Sequence, residues 1–139
     1  MSASPAKPTV EALGAFLAAE FPQNRCTLES LAPYGATVRL RVGAADLRPG
    51  GTVSGPSMMA VADVALYAAL LGEIGLEPLA LTTDLSVHFL RKPAAGRDLL
   101  GVCTLLKVGR RLAVGEVRVY SEGEAAPVAH AVGTYAIPR

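Results

Sequence analysis

The chain has 139 residues, 51% of them apolar and 18% charged, with a formal net charge of +1. That length suits one domain with a full core and is short for two, and the apolar share excludes a disordered chain. Near-neutral charge, with no basic stripe or basic helix, argues against nucleic acid or an anionic membrane surface as the main partner.

Met1 to Pro8 has no apolar segment of signal-peptide type, so residues 1–8 are expected to be a disordered lead-in and the protein to be cytoplasmic. Thr9 to Phe21 places Val10, Leu13, Phe16, Leu17 and Phe21 at helical spacing, with Thr9 as cap and Pro22 as stop. Residues 26–31 and 36–42 read as a hairpin about Pro33-Tyr34-Gly35. In it Val38, Leu40 and Val42 alternate with Thr37, Arg39 and Arg41. Asp46 to Gly51 is a loop rich in Pro and Gly. Ser54-Gly55-Pro56 then opens a helix that is apolar almost throughout from Met58 to Leu71 and ends near Gly72 or Gly75. A helix apolar all round is buried on all sides. Its apolar run is shorter than the ~20 residues that cross a bilayer.

The last third reads as strand. Leu79 to Leu90 alternates, with Thr83, Leu85, Val87 and Phe89 on one face and Thr82, Asp84, Ser86 and His88 on the other. Strands over 98–108, 111–120 and 128–137 follow, so the four are expected to form an antiparallel meander. The class is therefore α+β, a curved antiparallel sheet wrapped around one long apolar central helix. Leu99, Leu100, Val102, Cys103, Leu105 and Leu106 occupy both strand parities. A sheet apolar on both faces buries one of them in an oligomer, so a homodimer is expected, or a dimer of dimers. Cys26 and Cys103 show no metal spacing and are expected as buried thiols.

Two features carry chemistry. Asp63 is the only charged residue between Met58 and Leu71. A carboxylate in apolar surroundings needs a partner or a proton. It is either a structural carboxylate that caps a loop or meets a buried Arg, or a base or nucleophile tuned by partial burial. Tyr67, one turn on, either donates to it or packs beside it. Gly55 stands where unpaired helix N–H groups and the dipole can hold an oxyanion, and Pro56 restricts the donors to Gly55 or Ser57. Eight residues separate Gly55 from Asp63, about 12 Å along the axis at 1.5 Å per residue. One chain cannot bring both to one carbonyl, so a shared site requires two chains.

The segments Arg48 to Gly55, Ala60 to Asp63 and Thr82 to Arg91, with Gly109 to Val114 and Ala129 to Tyr135, resemble the hotdog-fold acyl-CoA thioesterases of the phenylacetyl-CoA thioesterase type. The resemblance runs from about Ala36 to Ile137, within a single expected domain over residues 9–139. It implies that Asp63 acts as base or nucleophile on a thioester carbonyl polarised by the Gly55 N–H of a partner chain. It implies that Thr82 helps place water, and it puts Arg48 where many members carry Asn or Gln. Ser54 stands in place of the family's His and Pro56 in place of its second Gly. Arg48 brings a fixed charge that can hold a substrate carboxylate or pair with Asp63.

Ser54, Ser57, Tyr67, Arg91, Arg110 and Arg111 complete the expected substrate-binding set. The basic residues at strand ends, Lys92 and Lys107 included, either meet coenzyme A phosphates or form a solvated rim. No metal and no cofactor are expected, since neither His88 nor His130 has ligands at metal spacing. The serines lack the strand–turn setting of a hydrolase elbow. The leading expectation is hydrolysis of an aryl- or fatty-acyl-CoA. The alternative is a non-catalytic acyl-CoA or small-ligand binding protein on the same fold. A hydratase ranks last, because no His lies near the helix in sequence.

Overall fold

The computed structural model describes residues 7–138, so the expected lead-in falls almost wholly outside the described residues. Helix α1 spans Val10–Glu20, and the side chain of Thr9 accepts from the Ala12 N–H at 3.1 Å. Strands β1 (Cys26–Ala32) and β2 (Gly35–Leu40) form the hairpin. Helix α2 spans Gly55–Ile74, and β3 (Leu81–Phe89), β4 (Leu99–Val108), β5 (Leu112–Ser121) and β6 (Ala129–Ala136) follow. The sheet is antiparallel throughout, in the order β1-β2-β4-β5-β6-β3.

The expected meander holds for β4, β5 and β6 only. Strand β3 lies at the far edge, paired with β6 and not with β4. A hairpin needs a short turn, whereas residues 90–98 separate β3 from β4 and carry Pro93 and Gly96. Leu90 and Arg91 donate their N–H groups to the Val128 carbonyl, which turns this connector back along the sheet end.

Helix α2 lies in the concave face, and Val61, Ala62, Ala65, Leu66, Ala68, Leu70 and Leu71 are buried there with Val38, Leu40, Leu99, Val117 and Val119. The sheet makes room for it at the cross-strand pair Gly115–Gly133, where an added Cβ would stand 2.8 and 2.6 Å from the two methyls of Leu66. The helix is not buried on all sides, contrary to the expectation from its composition: Met59 and Ala60 are exposed. At 20 residues the helix is long and apolar enough to cross a membrane by length and composition, contrary to the expected shortfall, but most of it is buried against its own sheet. The convex face carries exposed Val102, Leu106, Leu112 and Val132 beside Glu116, Arg118 and His130.

Candidate active site

Asp63 is half-buried in the middle of α2, where β3 and β6 pass its side chain. Alternation alone puts Thr82 on the face of Asp84, Ser86 and His88. The structure corrects this: a bulge between Thr82 and Asp84 shifts the register by one residue and turns Thr82 to the helix side, with Leu85 and Val87. Its hydroxyl then donates to Asp63 Oδ1 at 2.5 Å. His88 stays on the outer face, across from His130, which bonds Glu116 at 3.0 Å. Within the chain neither histidine is beside the carboxylate.

Tyr135 pairs with Thr82 across the β3–β6 ladder and donates to the same Asp63 Oδ1 at 2.8 Å, with the Asp63 carbonyl 3.2 Å away. Burial and the neighbouring Asp63 charge push its hydroxyl above the ordinary tyrosine range. Tyr67 does not reach Asp63. Its hydroxyl donates to the Pro78 carbonyl at 3.2 Å, and its ring stacks on Tyr135 at 5.9 Å and meets Phe21 edge-on at 6.3 Å. Burial, then Glu77 and Glu20, raise its hydroxyl too. These groups line an open cavity of about 270 Å³, together with Glu20, Phe21, Ala80 and Leu81.

A second cluster surrounds the start of α2. Ser54 caps the helix, accepting from the Ser57 N–H at 3.3 Å and donating to Ser57 Oγ at 3.0 Å. Ser57 in turn donates to Asp46 Oδ1 at 2.9 Å. Asp46 is fully buried, pairs with Arg25, accepts from the Gly43 N–H at 2.9 Å, and offers its carbonyl to the Ser54 N–H at 2.7 Å. The bonds from Arg25 chiefly, then from the Gly43 N–H and Ser57 Oγ, overcome burial and hold the Asp46 carboxyl down at about 2. Ser57 was expected to meet substrate; its hydroxyl is turned inward instead, onto Asp46. Gly55 is partly open, and Phe89 covers it so closely that a Cβ there would lie 3.2 Å from the ring.

Arg48, Gly55, Met58, Phe89, Arg91 and Lys92 line a cleft of about 780 Å³. Arg48 therefore sits with Gly55, not with Asp63, and the pairing of Arg48 with Asp63 is not made within the chain. Arg110 and Arg111 lie in the β4–β5 turn at the Thr82 end of the sheet and line neither cavity. One chain thus holds two separate clusters, Asp63 with Thr82 and Gly55 with Arg48 and Arg91. Among the described residues no cluster of His, Cys, Asp and Glu could hold a metal.

Sequence reasoning missed Tyr135 and Asp46. The spacing of Tyr135 from Asp63 in the chain says nothing of their contact, which depends on the β3–β6 register. Asp46 looks like an ordinary loop acid until the hairpin brings Arg25 over it.

A six-stranded antiparallel sheet curled round one apolar helix is the hotdog fold, here with a carboxylate and two hydroxyls where helix meets sheet. Comparison with known proteins agrees. The family profile described as thioesterase superfamily matches residues 50–128. A protein from Silicibacter sp. solved as a candidate thioesterase is 50% identical over 94% of this chain and 92% of its own, with a TM-score of 0.84. A variant of the phenylacetic acid degradation protein PaaI from Thermus thermophilus is 27% identical over 84% of this chain and 96% of its own, with a TM-score of 0.72. Zebrafish thioesterase superfamily member 2 shares the fold at 21% identity and a TM-score of 0.82, over 94% of this chain and 99% of its own. Among curated proteins no sequence matches. The chain belongs to the thioesterase superfamily.

Proposed function

We propose that the protein is a cytoplasmic acyl-CoA thioesterase acting on an aryl- or fatty-acyl-CoA as a dimer, or a dimer of dimers. The observation that carries this reading is the Asp63 carboxylate, half-buried beside a cavity, with Thr82 and Tyr135 both bonded to Oδ1.

The two separate clusters and the free edge of β3 favour two chains. Strand β3 pairs only with β6, and Leu81 and Phe89 at its ends are 58% and 50% exposed. An open strand edge with apolar side chains is a pairing surface. Two β3 edges joined antiparallel about a two-fold axis bring the Thr82 end of one strand to the Phe89 end of the other. The Asp63 cavity of one chain then meets the Gly55 cleft of its partner. There Asp63 takes a proton from water as the water oxygen attacks the thioester carbonyl. The Gly55 N–H and the helix dipole hold the oxyanion. The carbon–sulfur bond then breaks and the coenzyme A thiolate leaves, protonated by Asp63 or by solvent. Arg48, Arg91 and Lys92 form a basic rim to the cleft that suits the coenzyme A phosphates.

Free-thiol release over aryl and fatty acyl-CoAs tests this, with wild type and Asp63→Asn compared. Turnover untouched in Asp63→Asn refutes the assignment, and full activity in a dilute monomer refutes the two-chain site. One observation favours the binding-protein alternative. Both serines at the α2 start are engaged in capping and on Asp46, so none is free as a proton shuttle. Wild type that binds acyl-CoA without releasing thiol would establish that alternative.

A further inference from the structure

Asp63 Oδ1 accepts two hydroxyl donors, from Thr82 at 2.5 Å and Tyr135 at 2.8 Å, and no described residue donates to Oδ2. The carboxylate torsion of an aspartate is broad and roughly two-fold. Without anchors, either oxygen would face the cavity in turn. Two donors from adjacent strands select one orientation. The Tyr135 donor is itself held: its ring is 5% exposed, stacked between sheet and Tyr67, and Tyr67 is braced by Phe21. A phenylalanine would fill the same space, so packing alone does not require the hydroxyl. The superfamily match ends at residue 128, short of Tyr135.

We propose that Tyr135 is a positioning residue for the reaction: with Thr82 it pins Asp63 by Oδ1 and leaves Oδ2 as the oxygen that meets the attacking water. The proposal rests on the reading of Asp63 as the base. Each hydroxyl favours the charged carboxylate, because it donates to the form that only accepts. Losing one therefore weakens the hold on the charged form and frees its oxygens to exchange places.

The split between kcat and KM tests it on the full assembled protein. In Tyr135→Phe at neutral pH kcat should fall about three- to tenfold, the loss of one hydrogen bond to a charged group, with KM within about twofold. Thr82→Val should lower kcat in the same way, and the double variant further than either. If Tyr135→Phe fails to assemble, 4-fluorophenylalanine in place of Tyr135 fills the space of the hydroxyl without donating, and kcat should fall by a similar factor with KM kept.

Unchanged kcat in Tyr135→Phe where Asp63→Asn is inactive overturns the proposal and leaves the base assignment standing. So does a KM that rises while kcat stays, which would make Tyr135 a binding residue. Undiminished turnover in Asp63→Asn removes the base assignment, and the role of Tyr135 falls with it.

Discussion

Asp46→Asn is the substitution whose effect is best worked from the structure. Asp46 is the fully buried carboxylate that ties the loop before α2 to the helix start, with Arg25, the Gly43 N–H and Ser57 Oγ around it. Its carboxyl lies at about 2 in the folded protein, mainly through the Arg25 pair. An unfolded aspartate titrates near 3.9, so the difference is roughly two units, worth about 2.5 kcal/mol at most. The Arg25 side chain is 51% exposed, and water screening reduces this to about 1–2 kcal/mol. The folded value is depressed, so this stability is present above pH ~4 and is lost as pH falls through ~2. The amide is isosteric, but its NH2 replaces an oxygen that accepts from Arg25 and from the Gly43 N–H or Ser57 Oγ, so a pH-independent loss of hydrogen bonding adds to the charge term. Urea unfolding of wild type and Asp46→Asn, at one fixed protein concentration, should differ by at least about 1–2 kcal/mol at pH 7, and the gap should narrow by about that amount as pH falls towards 2. A gap that stays constant between those pH values refutes the charge argument and leaves only the pH-independent loss.

Gly133→Ala should cost about 1–3 kcal/mol, because the new methyl stands 2.6 Å from a Leu66 methyl in a filled groove; chemical unfolding measures it. Burial pushes the thiols of Cys26 and Cys103 up to about 11 and about 12, so both should react slowly with a thiol reagent at pH 8 and quickly once urea unfolds the chain. Prompt labelling of either in the folded protein contradicts that burial. Leu81→Lys, at the open β3 edge, should lower the sedimentation mass and thioesterase turnover together. An unchanged assembly rules out β3 as the joining edge.

The helix was legible because its signals are local. Ser54, Pro56 and Gly75 mark its ends, and the apolar run marks its burial. The strands from Leu99 onward were legible for the same reason. What the sequence hid depends on register. A bulge adds one residue and reverses strand parity, and nothing in Thr82-Thr83-Asp84 announces it. The partner of β3 was hidden because pairing with β6 joins positions about fifty residues apart. Tyr135 followed from the same gap, since its hydroxyl meets Asp63 only after β3, β6 and α2 have been placed. Gly55 and Asp63 stood out singly, one as a helix-start glycine and the other as a charge out of place. Their separation along one rigid helix was readable too, because helical rise is fixed by the backbone and not by tertiary context.

That separation supports a decisive test by mixing. Asp63→Asn lacks the base and keeps Gly55. Gly55→Pro lacks the N–H and keeps Asp63, with proline tolerated at the first helical position. Each variant alone has every site defective and should be inactive. In a dimer of one chain of each, both defects fall into the same site. The other site joins the intact Asp63 of one chain to the intact Gly55 of its partner. Random reassociation makes about half the dimers mixed, each with one working site of two, so activity should recover to roughly a quarter of wild type. Phe89 covers Gly55 closely, so the proline variant is checked first for assembly and helix content. If both variants assemble and exchange chains but the mixture stays inactive, each site lies within one chain. The 12 Å between Gly55 and Asp63 would then have to be closed by a different oxyanion donor.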